Sequence, residues 1–125
     1  MKEIWVVGIF VLMMLSGIIL QPGYDQIGIA SWYGPGFHGN LTSNGETYDM
    51  HEMTAAHKTL PFNTLVRVID LDTGDSIIVR INDRGPFIRG RIIDLSLAAA
   101  QKLGSDQKGI ANVGLRIVES PEEIR

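Results

Sequence analysis

The chain has 125 residues, 11 basic against 14 acidic for a net charge of −3, with 14 glycines and no cysteine. That length fits one domain, and the charge argues against a nucleic-acid binder. The missing cysteines exclude disulfides, thiolate zinc sites, a cysteine nucleophile and a lipid anchor built on cysteine.

Residues 4–20 form an apolar run of 17 residues without a charge, preceded by Lys2. A run apolar on all sides is unlike a globular surface helix. It reads as an export signal or a membrane anchor, at the short end of what spans a bilayer. Residues 1–20 are therefore assigned to signal or anchor, residues 21–27 to a linker and residues 28–120 to the domain. Lys2 and Glu3 cancel, so the exported part keeps a net −3.

Next, "IGIASWY" is a short β-branched and aromatic run that predicts a strand. "SWYGPGFHGNLTSNGETYDM" follows with four glycines and the period of neither helix nor strand, so it predicts a long loop. In "MTAAHKTL", Leu60 precedes Pro61 and is biased to extended backbone, which predicts a strand over Thr54–His57. "LVRVIDLDTGDSIIVRIND" alternates apolar and polar residues on both sides of a turn with Gly74 at a left-handed position. This is a β-hairpin with one face inward. "RIIDL" is a further strand. "SLAAAQKLG" predicts the one helix of the domain, with Ser96 as N-cap and Gly104 just past its end. "VGLRIV" closes the domain as a strand with Val113, Leu115 and Ile117 on one face. Six short strands and one short helix predict a mainly β fold closed into a small barrel, because closure removes exposed edges.

The acid–base residues are Glu46, Asp49, His57 and, far along the chain, Asp83. Two carboxylates beside a sugar can cleave a glycosidic bond, one protonating the leaving oxygen and the other stabilising the oxocarbenium-like centre or activating a nucleophile. The acid must be protonated near neutral pH, which requires burial or a negative neighbour. Asp49 is expected to supply that neighbour to Glu46, and Trp32, Tyr33 and Phe37 an apolar wall that also stacks on sugars. On spacing alone, Glu46 and Asp49 fit solvated loop residues as well. Asp83 and Arg84 in "INDRGPF" end a strand, where function concentrates. A salt bridge between them that fixes the turn is the other reading. Residues 80–91 hold Arg80, Arg84, Arg89 and Arg91 against Asp83 alone. His38, His51 and His57 match no metal spacing, the serines lack a nucleophile elbow, and there is no phosphate-binding loop. No metal and no cofactor are expected.

Together, "GIASWYG", "FHGNLTSNGETYDM", "TAAHKTLPFNTLVRV", "VRINDRGPF" and "RIIDLS" with its following alanines resemble the RlpA-like (rare lipoprotein A) family over residues 28–118. The resemblance implies a six-stranded double-psi β-barrel related to expansins, barwin-like proteins and some endoglucanases. It also implies a bacterial cell-envelope protein of the periplasm or wall. Such a protein is an endolytic transglycosylase of peptidoglycan glycan strands, in which the muramic acid 6-hydroxyl attacks its own anomeric carbon and leaves a 1,6-anhydro end. The family's functional residues fall on Glu46, Asp49, His57 and Asp83. Asp83 or Glu46 is then the acid/base, the other stabilises charge, and Asp49 and His57 tune them. If Asp83 is the acid, Arg84 must point away from it. Trp32, Tyr33, Phe37, Asn44, Asn82 and Arg84 are expected to hold the glycan. The partner is the glycan strand and not a nucleic acid, the protein is a monomer, and any membrane contact is through residues 1–20. The rival reading is a non-catalytic glycan-binding or wall-loosening module, resting on the loop aromatics and the arginine cluster.

Overall fold

The computed structural model describes residues 23–121. The signal or anchor reading of residues 1–20 lies outside the described residues. Six strands, β1 Gln26–Trp32, β2 Thr54–His57, β3 Leu65–Asp70, β4 Ser76–Asp83, β5 Arg91–Leu95 and β6 Ala111–Glu119, form a closed barrel in the order β1-β5-β2-β4-β3-β6. Pairs β1/β5 and β2/β4 are parallel and the other four are antiparallel. One helix, α1 Leu97–Leu103, packs on the barrel.

The period-2 pattern puts Val66 and Val68 of β3 and Ile77, Val79 and Ile81 of β4 inside, with Ile93, Leu95, Val113 and Leu115 against them. Fully burying one such side chain stabilises by about 1.5–3 kcal/mol. The β3–β4 turn forms as expected, with Gly74 at φ 83° and Asp70 accepting from the backbone N–H groups of Asp72 and Thr73. α1 also forms as its caps dictate. Ser96 Oγ accepts from Ala99 N–H, and Gly104 is left-handed and donates to the carbonyls of Ala100 and Gln101. All four residues of β2 are buried, and the small side chains of Thr54, Ala55 and Ala56 suit a strand with neighbours on both edges.

Strand β6 departs from simple alternation at two points. Ile117 points to the side expected but is 38% exposed. It lies past the packed core, where it lines a cavity instead of filling the interior. Just ahead of β1, Tyr24 lies so close over β6 that a Cβ on Gly114 would come within 2.5 Å of its ring. Asp25 reinforces this by donating its N–H to Leu115 O and accepting from Ile117 N–H.

Candidate active site

The long loop ends in a self-supporting tip over residues 42–46. Thr42 N–H donates to Glu46 O at 2.7 Å and Gly45 N–H to Thr42 O at 3.0 Å. The side-chain oxygen of Asn44 accepts from Thr42 Oγ1 at 2.5 Å and from Glu46 N–H at 3.1 Å. Gly45 has φ 89°, a turn geometry that glycine adopts at no steric cost. The tip lies on β4, Asn44 N–H donating to Asn82 O at 3.3 Å. Because Ile77, Val79 and Ile81 face inward, Arg80 and Asn82 face outward to meet it.

Glu46 is gripped by a guanidinium. Arg80 donates through Nη1 to Oε2 at 2.7 Å and through Nη2 to Oε1 at 2.8 Å. Asn44 and Asn82 add their side-chain N–H groups at 2.8 and 3.3 Å. These donors, Arg80 foremost, hold the Glu46 carboxyl down to about 2 against an opposing contribution from burial. The negative neighbour expected from Asp49 is replaced by a positive one. Asp49 instead accepts from His51 N–H at 2.9 Å and closes its own turn. Asn44 and Asn82, expected on the sugar, spend their amides on Glu46, and Asn82 is 2% exposed.

Asp83 is gripped by neutral groups. Its Oδ2 accepts from Tyr33 Oη at 2.7 Å, and its Oδ1 from Ser43 Oγ at 2.6 Å, Ser43 N–H at 2.9 Å and Arg84 N–H at 2.8 Å. Burial raises the carboxyl's pKa, but the hydrogen bonds from Ser43 and Tyr33 outweigh it and leave the net value below the usual range. Tyr33 is pushed the other way by burial and by the Asp83 carboxylate, so it keeps its proton and donates. The salt bridge weighed between Asp83 and Arg84 does not form. The Arg84 guanidinium turns away, donating to the carbonyls of His57 at 3.1 Å and Leu60 at 2.8 Å and lying 4.0 Å over the Phe62 ring. Its Nη1 is thus committed to backbone carbonyls.

His57 contacts neither carboxylate through its hydrogen bonds. Its Nδ1 accepts from the backbone N–H groups of Thr59 and Leu60, both at 3.1 Å, so the neutral ring carries its proton on Nε2 and donates to Gln26 Oε1 at 2.7 Å. Burial, then the Arg84 charge, lowers its pKa. His57 thus shapes the turn whose carbonyls hold Arg84. Its ring faces a separate cavity of about 360 Å³ lined by Gln26, Leu60, Leu115 and Ile117. His38 and His51 meet edge-on with centroids 5.8 Å apart, away from His57's partners.

The aromatics divide. Tyr33 lies beside Phe37 (centroids 5.7 Å) and edge-on to the buried Tyr48 (4.8 Å), and Phe37 is 53% exposed. They make a wall next to Asp83. Trp32 is partly buried against the core instead. Ser43, and Arg80 as the partner of Glu46, were not singled out from the sequence. Arg80 had a visible signal, since it shares the outward face of β4 with Asn82. Ser43 had none, since its partner is 40 residues away.

A family model described as lytic transglycolase, a double-psi barrel domain, matches residues 25–115. The endolytic peptidoglycan transglycosylase RlpA of Vibrio cholerae is 60% identical over 102 residues, covering 81% of this chain and 39% of that protein. The chain therefore spans about two fifths of that relative's length. Among solved structures, the Streptomyces papain inhibitor superposes with a TM-score of 0.60 at 23% identity, covering 79% of this chain and 100% of that one. A mutant Clavibacter michiganensis expansin in complex with cellohexaose superposes at 0.59 and 19% identity, covering 76% of this chain and 50% of that one. These two likenesses establish the fold alone.

Proposed function

The chain belongs to the lytic transglycolase family, and on that premise we propose that it is an endolytic peptidoglycan transglycosylase, acting outside the cytoplasmic membrane, with Asp83 as its acid/base. One observation carries the choice of Asp83. It is held by neutral donors with the neighbouring guanidinium turned aside, whereas Glu46 is locked to Arg80. A carboxylate held by hydroxyls can exchange one of them for a substrate oxygen. A carboxylate in a bidentate ion pair keeps its charge.

Glycan laid along Tyr33 and Phe37 excludes water from Asp83 and displaces its exposed donor Ser43. Both changes raise its proton affinity. The protonated Asp83 gives its proton to the glycosidic oxygen between N-acetylmuramic acid and N-acetylglucosamine as the bond to the anomeric carbon breaks. The muramic acid 6-hydroxyl oxygen then bonds to that carbon, and its proton returns to the Asp83 carboxylate. No water is consumed, and the product end is 1,6-anhydro. His57 acts at one remove by shaping the turn that keeps Arg84 off Asp83. Asp49 fixes the turn ahead of β2.

The alternative is a glycan-binding module that cleaves nothing. It is favoured by the full set of donors on both carboxylates and by the cellohexaose bound to the expansin of the same fold. Incubating the purified full chain with sacculi and weighing the released products separates the two. 1,6-Anhydromuropeptides support cleavage without water, plain reducing ends overturn it, and bound protein with no soluble product favours the module.

A further inference from the structure

A single run of polar contacts joins the two carboxylates. At one end, Arg80 grips Glu46, and Arg80 is itself fixed by Asn63 Oδ1 at 3.0 Å and flanked by Glu52 at 3.8 Å. At the other end, Ser43 supplies two of the four donors on Asp83. Between them lie the tip over residues 42–46 and, on β4, Asn82, which bonds Glu46 and adjoins Asp83. Apart from the Glu46 and Ser43 contacts, the tip's backbone meets β4 through the 3.3 Å bond from Asn44 N–H. The Arg80–Glu46 pair and the Ser43 bonds to Asp83 are both charge-assisted attachments of the tip, and the first is bidentate between opposite charges.

We propose that Arg80 is a positioning residue: by gripping Glu46 it seats the tip on β4, and the seated tip presents Ser43 to Asp83. Glu46 then sets the resting charge of Asp83 through Arg80 and Ser43 and moves no proton itself. This rests on Asp83 being the acid/base. Arg80 and Asp83 lie three residues apart on one strand, about 10 Å, where a direct charge effect is already screened at physiological salt. The other groups facing Asp83 are Tyr33, with Asp94 of β5 acting on that phenol, and Arg84, whose guanidinium is tied to the His57 and Leu60 carbonyls.

The sign of one response separates seating from direct electrostatics. Removing the Glu46 charge takes away a nearby anion and leaves Arg80 with the longer Glu52 contact, so through space it makes Asp83 easier to ionise. By unseating Ser43, it makes Asp83 harder to ionise. The test follows the Asp83 carboxyl carbon by NMR in the full chain in detergent micelles, with the signal assigned by its loss in Asp83→Asn. In Glu46→Gln, Arg80→Gln and Ser43→Ala the titration midpoint moves to higher pH. Ser43→Thr, which keeps the hydroxyl, returns it to the wild-type value. Ser43→Ala with Arg80→Gln moves it no further than Ser43→Ala alone, as for two steps of one path. A midpoint that falls or stays in Glu46→Gln, or shifts that add in the double variant, overturns the proposal. This readout needs no turnover. If the midpoints move as expected while the wild type yields no anhydro ends, the seating stands and the acid/base reading falls.

Discussion

Glu46 and Asp83 sit at two corners of one loop–strand contact, and the corners are built from opposite materials. At the Glu46 corner a cation meets an anion in two short bonds, with the Glu46 side chain still 38% exposed. At the Asp83 corner hydroxyls and backbone N–H groups meet a carboxylate beside an aromatic wall. Both carboxylates are ionised in the free protein, but for different reasons. An ion pair resists protonation as long as the cation stays. Neutral donors stabilise the charge only while they remain in place, and a bound substrate can replace them. On the proposed reading, two acidic residues that look alike in sequence thus divide into a structural charge and a proton carrier.

Substitutions sharpen or break that division. The largest effect is on turnover. Asp83→Asn lowers the rate of anhydro-product release from sacculi by about 10²–10⁴-fold, and Glu46→Gln by much less. Equal losses in the two variants break the comparison. Next, Ile81→Ala empties a site under β4, the strand that carries both corners. It lowers unfolding free energy by about 2–5 kcal/mol, measured by urea denaturation. Gly104→Ala is the control remote from both corners. Its left-handed φ of 87° makes alanine cost about 1–2 kcal/mol, with the pH dependence of product release unchanged.

The smallest effect is on acid stability. The Glu46 carboxyl falls from 4.5 to about 2 on folding. A depressed folded-state value adds stability above the unfolded value, and that stability is lost as pH falls through the folded one. The urea midpoint of the wild type therefore declines between pH 4.5 and about 2 more steeply than that of Glu46→Gln. Solvent screening at this half-exposed pair keeps the difference small.

Much of the barrel was legible because it is local. Alternation placed Val66, Val68, Ile77, Val79 and Ile81 inward, the restriction of Leu60 by Pro61 argued against a helix where β2 forms, and Ser96 and Gly104 bounded the helix. Ile117 fell outside that logic, since alternation gives a side and not the depth of the core beneath it. The site was legible as an inventory and not as an arrangement. The four acid–base residues and the Tyr33–Phe37 wall could be named. The sequence did not show the pairing of Glu46 with Arg80, the amides of Asn44 and Asn82 on Glu46, or the Arg84 guanidinium on the His57 and Leu60 carbonyls.

By itself the sequence determined the strands, the turns, the helix caps and the family, because each depends on near neighbours or on motifs read in order. Tertiary structure alone decided the surroundings of the two carboxyls. Glu46 meets Arg80 across 34 residues, and Asp83 meets Ser43 across 40 and Tyr33 across 50. A carboxyl's proton affinity depends on the donors and charges within a few ångströms in space, and those neighbours exist only once the barrel has closed.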